Sequence, residues 1–91
     1  MADTRQFSVQ VEVLLRDGIA DPQGATIERA RPALGLDGVT SVRAGKSFRF
    51  DLTAATESDA VAQATVVADR LLANPVIEES QVTVRPAGAT A

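Results

Sequence analysis

The sequence predicts an α+β domain with elements in the order β-α-β-β-α-β. Three observations predict it. A strict apolar alternation opens the chain, and two separate stretches of helical periodicity follow, each led by capping residues. Between them, Gly45-Lys46 divides two runs that read as strands.

Phe7, Val9, Val11, Val13 and Leu15 alternate with Gln6, Ser8, Gln10 and Glu12, the period of a half-buried strand. Beyond Gly18 the period changes. Asp21 supplies an acceptor for a helix N-terminus, and Pro22 suits the first helical position because its missing N–H would have no partner there. Ile27, Ala30 and Leu34 then recur at helical spacing and Gly35 follows, predicting a helix over residues 22–34. Pro32 interrupts it. A proline inside a helix deletes a hydrogen bond and costs about 3 kcal/mol, so the last turn should kink or restart.

Residues 39–44 and 47–53 read as two strands around a tight turn at Gly45-Lys46, with Phe48, Phe50 and Leu52 on one face. Thr56 or Ser58 caps a second helix, and Glu57 and Asp59 suit its positive end. Its expected buried stripe is Val61, Ala64, Ala68, Leu71 and Leu72, and Asn74-Pro75 ends it. A last strand over residues 76–85 turns Val82 and Val84 inward. Residues 1–6 and 86–91 are expected to be a flexible N-terminus and a disordered tail, leaving one domain over residues 7–85.

A split βαβ pair with short links closes into a four-stranded antiparallel sheet with both helices on one face, the ferredoxin-like arrangement. The helices are expected over the valine and phenylalanine face. Gln10, Glu12, Arg49, Asp51, Gln81 and Thr83 would line the other, a polar alternation suited to water or a hydrated interface. The edge strands are available for pairing with a second copy.

Composition narrows the function. The 91 residues include no cysteine and no histidine, which removes disulfides, thiolate sites, the commonest general base and the usual partner of a nucleophilic serine. The net charge is −3, and the aromatics are three Phe without Tyr or Trp. Neither a basic surface for nucleic acid or anionic membrane nor a stacking platform follows from that. No apolar run approaches a membrane span, and residues 1–6 are polar rather than a signal peptide, so a cytoplasmic location is expected.

Candidates for chemistry are few. Lys46, the only lysine, sits beside Gly45 and near Arg43 as either an anion or partner contact or a solvated turn residue. Residues 16–24 precede a helix N-terminus but carry neither Gly-x-x-x-x-Gly-Lys nor Gly-x-Gly-x-x-Gly. Glu78 and Glu79 are adjacent on a strand and point to opposite faces, so they form no carboxylate pair. Gln23 and Gly24 exceed what a helix start requires, since glycine early in a helix costs up to ~1 kcal/mol. That excess suggests a contact surface with close backbone approach at Gly24.

Three stretches carry a resemblance: VEVLLRDGIADPQGATIERA, GLDGVTSVRAGKSFRFDL and ADRLLANPVIEES. In this order they closely resemble the PurS family, the small subunit of phosphoribosylformylglycinamidine (FGAM) synthase in purine biosynthesis. The resemblance implies small α+β protomers that associate through their sheets into dimers, tetramers or higher oligomers. It also implies a subunit that is not catalytic alone. It would bridge a PurL-type large subunit, which amidates formylglycinamide ribonucleotide with ATP, and a PurQ-type glutaminase, and would help ammonia pass between them.

By that resemblance the chain binds no cofactor or metal itself, and the complex uses ATP, Mg and glutamine. The residues that match the family motifs are candidates for partner or oligomer contact: Asp21, Pro22, Gln23, Gly24, Arg43, Gly45, Lys46, Asn74, Pro75, Val76, Ile77 and Glu78. Pro32 and Ser80-Gln81 depart from the family pattern in helix regularity and in the aromatic start of the last strand. Two rivals share the element order, a regulatory module sensing a small ligand at a dimer interface and a stand-alone phosphate-handling enzyme.

Overall fold

A computed structural model of the chain describes residues 4–87. Strand β1 (Arg5–Leu15) is followed by helix α1 (Pro22–Ala30), strand β2 (Gly45–Ala54), helix α2 (Glu57–Val67) and strand β3 (Glu78–Pro86). The alternation over residues 7–15 therefore forms the predicted strand, starting two residues earlier. The sheet has three strands in the order β2-β1-β3, with both pairings antiparallel. The register stacks like on like: Val9 lies between Phe50 and Val84, and Val11 between Phe48 and Val82.

The fourth strand expected over residues 39–44 is not there. Ser41 adopts the left-handed region, with φ of 57°, which breaks an extended run. Two amides after it are taken by side chains: Val42 N–H donates to Glu28 Oε1 at 2.9 Å and Ala44 N–H to Asp21 Oδ2 at 2.8 Å. With those donors engaged, the segment cannot join a ladder. Gly45 is accordingly the first residue of β2, opposite Leu14, and not the tip of a hairpin. A Cβ there would collide with the Val13 carbonyl oxygen and with Leu14 Cδ2.

The core is the apolar face of β1. Phe7, Val9, Val11 and Val13 are buried, against Ala60, Ala64 and Ala68 of α2 and its continuation. Alanine at every fourth position makes a flat ridge, so the helix lies close on the sheet. Each valine so buried contributes roughly 1.5–3 kcal/mol.

This packing corrects the expected stripe of α2. Val61 remains 44% exposed and Leu71 77% exposed. The reason for Leu71 is local. α2 continues as a π-helical turn, Ala68–Leu72, in which Ala73 N–H reaches Ala68 O at 2.9 Å. One inserted residue rotates Leu71 outward and brings Leu72 onto the core. Thr56, the first of the two expected caps, accepts from Asp59 N–H at 3.1 Å.

Helix α1 is the larger correction. Pro32 does end it, with a 3-10 turn (Arg31–Leu34) taking over and Gly35 closing that turn at φ of 72°. The helix does not lie on the sheet beside α2, and the expected inward positions Ile27 and Leu34 are 52% and 71% exposed. α1 and the loop after it extend past one end of the sheet. The molecule measures 60 × 31 × 14 Å, and its radius of gyration is 17.0 Å, against about 12 Å for a compact chain of this length.

Candidate functional site

The three motif stretches meet at the end of the sheet where β1 finishes and β2 and β3 begin. Asp21 is the organising residue. Its Oδ1 accepts from Gly24 N–H at 3.0 Å, capping α1, while Oδ2 accepts from Ala44 N–H at 2.8 Å. One carboxylate thus binds the helix start to the approach of β2. The bond from Gly24, then that from Ala44, hold its carboxyl below the ordinary carboxylate range; burial opposes them, and the nearby Arg43 guanidinium adds the smallest effect, in the lowering direction.

Gly24 is buried, and the reason is contact within the chain. A Cβ at this position would lie 2.5 Å from Asp21 Oδ2 and 2.6 Å from the Val42 carbonyl oxygen. The close backbone approach expected at Gly24 is thus to residues 42–44 of the same chain. Pro22 and Gln23 lie exposed on the first turn, where Thr26 Oγ1 donates to Pro22 O at 2.8 Å. Arg43 reaches across to Asp17 at 2.7 Å, an exposed pair worth little in stability but fixing the direction of the segment.

The third stretch forms a knuckle beside this junction. Asn74 Oδ1 accepts from Val76 N–H at 3.1 Å, and Asn74 O accepts from Ile77 N–H at 3.1 Å and from Glu78 N–H at 2.7 Å. Glu78, whose side chain is mostly buried, accepts from Asn74 N–H at 2.7 Å and stands 3.9 Å from Lys46 Nζ. Arg16 clamps the turn from β1: its amide donates to Ile77 O at 2.8 Å and its Nε to Pro75 O at 3.0 Å. At the apex Val76 is 80% exposed.

The structure therefore brings the predicted residues together at one end of the fold and divides them by task. Asp21, Gly24, Gly45, Asn74 and Glu78 hold the junction. Pro22, Gln23, Lys46, Pro75 and Val76 face outward from it. Sequence reasoning missed Arg16, Asp17 and Glu28, which complete the ties. Their signal was position alone, beside the strand end and one helical turn past Gly24. Among the described residues no three His, Cys, Asp or Glu side chains converge to hold a metal ion.

On the opposite side of the sheet from α2, the polar face forms a shallow hollow of about 500 Å³. Gln10, Arg49, Asp51 and Thr83 of the expected polar face line it with Ser8 and Arg85, alongside Val9 and Phe50; Glu12 and Gln81 do not. Gln10 Nε2 donates to Ser47 Oγ at 3.2 Å nearby. Among the described residues no helix is long and apolar enough to cross a membrane.

Residues 8–86 match the PurS family, phosphoribosylformylglycinamidine (FGAM) synthase. The PurS subunit of that synthase from Synechocystis is 37% identical over 75 residues, covering 82% of this chain and 75% of the relative. The crystal structure of the Thermotoga maritima PurS subunit superposes with a TM-score of 0.82 at 34% identity, over 90% of this chain and 94% of that one. A chain in the structure of PurLQS from the same organism gives 0.78 at 32% identity, over 87% and 96%. The chain belongs to the PurS family of FGAM synthase subunits.

Proposed function

We propose that this chain is the small, non-catalytic adaptor of an FGAM synthase complex in purine biosynthesis. It would bridge a PurL-type amidating subunit and a PurQ-type glutaminase and support ammonia transfer between them. The observation that carries the reading is the likeness to a chain of PurLQS over nearly the whole length. The junction fits such a role, because its charged groups are engaged in holding shape while the Pro75-Val76 knuckle faces outward. Within the complex, ATP, Mg and glutamine would be bound by the partners. The protein would act in the cytoplasm and associate with itself through the polar sheet face and the free strand edges.

The test is assembly. The chain is mixed with the two larger subunits, ATP, Mg and glutamine, and the mixture is resolved by size. The reading expects co-elution of all three and loses its basis if this chain elutes apart under turnover conditions. The hollow on the sheet favours one alternative, a module sensing a small ligand. That reading expects saturable metabolite binding by the isolated chain.

A further inference from the structure

Residues 39–44 carry strand composition and run directly into β2, yet they are held out of the sheet. Val39, Thr40 and Val42 are β-branched, which favours extended backbone. Ser41 takes φ of 57° instead, and among the described residues it alone, glycines aside, has a positive φ. A non-glycine residue keeps such a conformation only where its surroundings enforce it.

The enforcing contacts come from one unit, α1 and its flanks. Asp21 takes the Ala44 amide, Glu28 takes the Val42 amide, Asp17 pairs with the Arg43 guanidinium, and Arg31 donates to the Val39 carbonyl. α1 has little else to fix it, since Ile27 and Leu34 are exposed and Gly24 is its one buried residue. The same side chains therefore hold the segment irregular and hold the helix in place.

We propose that α1 and residues 39–44 form a latch with a docked and a released state. Docked, α1 is tied to the junction and the segment is irregular. Released, α1 leaves the junction, Ser41 relaxes to negative φ, and residues 39–44 extend β2, an edge strand of the sheet, ahead of Gly45. The two changes are coupled because one set of contacts serves both. Anything that binds α1 shifts the latch only as far as it prefers one state over the other. The latch belongs to this chain alone and stands apart from the adaptor reading above.

The experiment substitutes Ser41, which is exposed, in the full chain. Ser41→Gly removes the penalty of the left-handed region and should hold the latch docked, while Ser41→Val raises that penalty and should release it. Amide exchange by NMR, at one fixed protein concentration, reads the result. Ser41→Val should speed exchange at Val42 and Ala44 about tenfold, and Ser41→Gly should slow it. In Ser41→Val the Cα and Cβ shifts of residues 39–44 should move toward strand values. Glu28→Ala removes the acceptor of Val42 only, yet coupling requires it to speed exchange at Ala44 as well. Exchange at Val9 and Val11 of β1 should stay within about twofold throughout. Faster exchange at Val42 alone in Glu28→Ala would show independent ties and overturn the latch. So would exchange unchanged in both Ser41 variants, or a rise of equal size in β1, which would be a loss of stability across the whole domain.

Discussion

Replacing Gly24 with alanine tests the junction at its tightest point. In an ordinary helix the change stabilises by up to about 1 kcal/mol, because alanine loses less backbone entropy than glycine. Here the new Cβ would sit 2.5 Å from Asp21 Oδ2 and 2.6 Å from the Val42 carbonyl oxygen, and the second of these is backbone. Something must shift, and overpacking of that kind costs about 1–3 kcal/mol. The steric cost exceeds the propensity gain, so the net expectation is a loss of about 1–2 kcal/mol. For a domain of this size each 1 kcal/mol lowers Tm by about 4–8 °C. Urea and thermal unfolding at one fixed protein concentration measure it, since self-association would otherwise shift the midpoint. Gly38→Ala is the control. Nothing lies within 4 Å of a Cβ there, and the expected effect is a gain of about 0.4–1 kcal/mol through the unfolded chain. A Gly24→Ala protein as stable as wild type, or more so, would refute the close approach of α1 to residues 42–44.

Further outcomes follow from the same geometry. Asp21 has a lowered folded pKa, so its contribution to stability is complete above the ordinary value of about 3.9 and is lost as pH falls through the lower folded value. Asp21→Asn should flatten that acid limb of urea midpoint against pH, and an unchanged limb would assign the dependence elsewhere. Val11 is fully buried, so Val11→Ala should cost about 2 kcal/mol in urea unfolding with an unchanged m-value. Gly45→Ala should destabilise by about 1–3 kcal/mol, because its Cβ meets the Val13 carbonyl; a neutral result would mean β1 and β2 are not so closely paired there. Val76→Asp, at an 80% exposed position, should leave Tm within a few degrees while weakening co-elution with the larger subunits.

Much of the fold was legible because its signals were local. The alternation Phe7 to Leu15, the Asp21-Pro22 helix start, the Pro32 break and the Thr56 cap each act over a few residues, and each appears in the structure. Most of the errors were tertiary, and one was a local change of helical period. Residues 39–44 have strand composition, but carboxylates from Asp21 and Glu28, remote in sequence, engage their amides. The stripe of α2 was read with the usual helical period, and a single π turn moved Leu71 out of it. The apolar positions of α1 were read as a stripe packed on the sheet, yet Ile27 and Leu34 are exposed, because periodicity cannot say which surface a stripe meets. At the candidate site the motifs were visible, but the division of labour was not. That Gly24 serves an internal contact while Val76 faces solvent depends on distances that spacing does not encode.

The adaptor role is tested most directly by comparing two rates of FGAM formation by the large and glutaminase subunits, one driven by glutamine and one by free ammonia, with and without this chain. The account predicts that adding the chain restores the glutamine-driven rate while changing the ammonia-driven rate little, as the proposed adaptor would by coupling two sites and performing neither reaction. Equal glutamine-driven rates with and without the chain would contradict it.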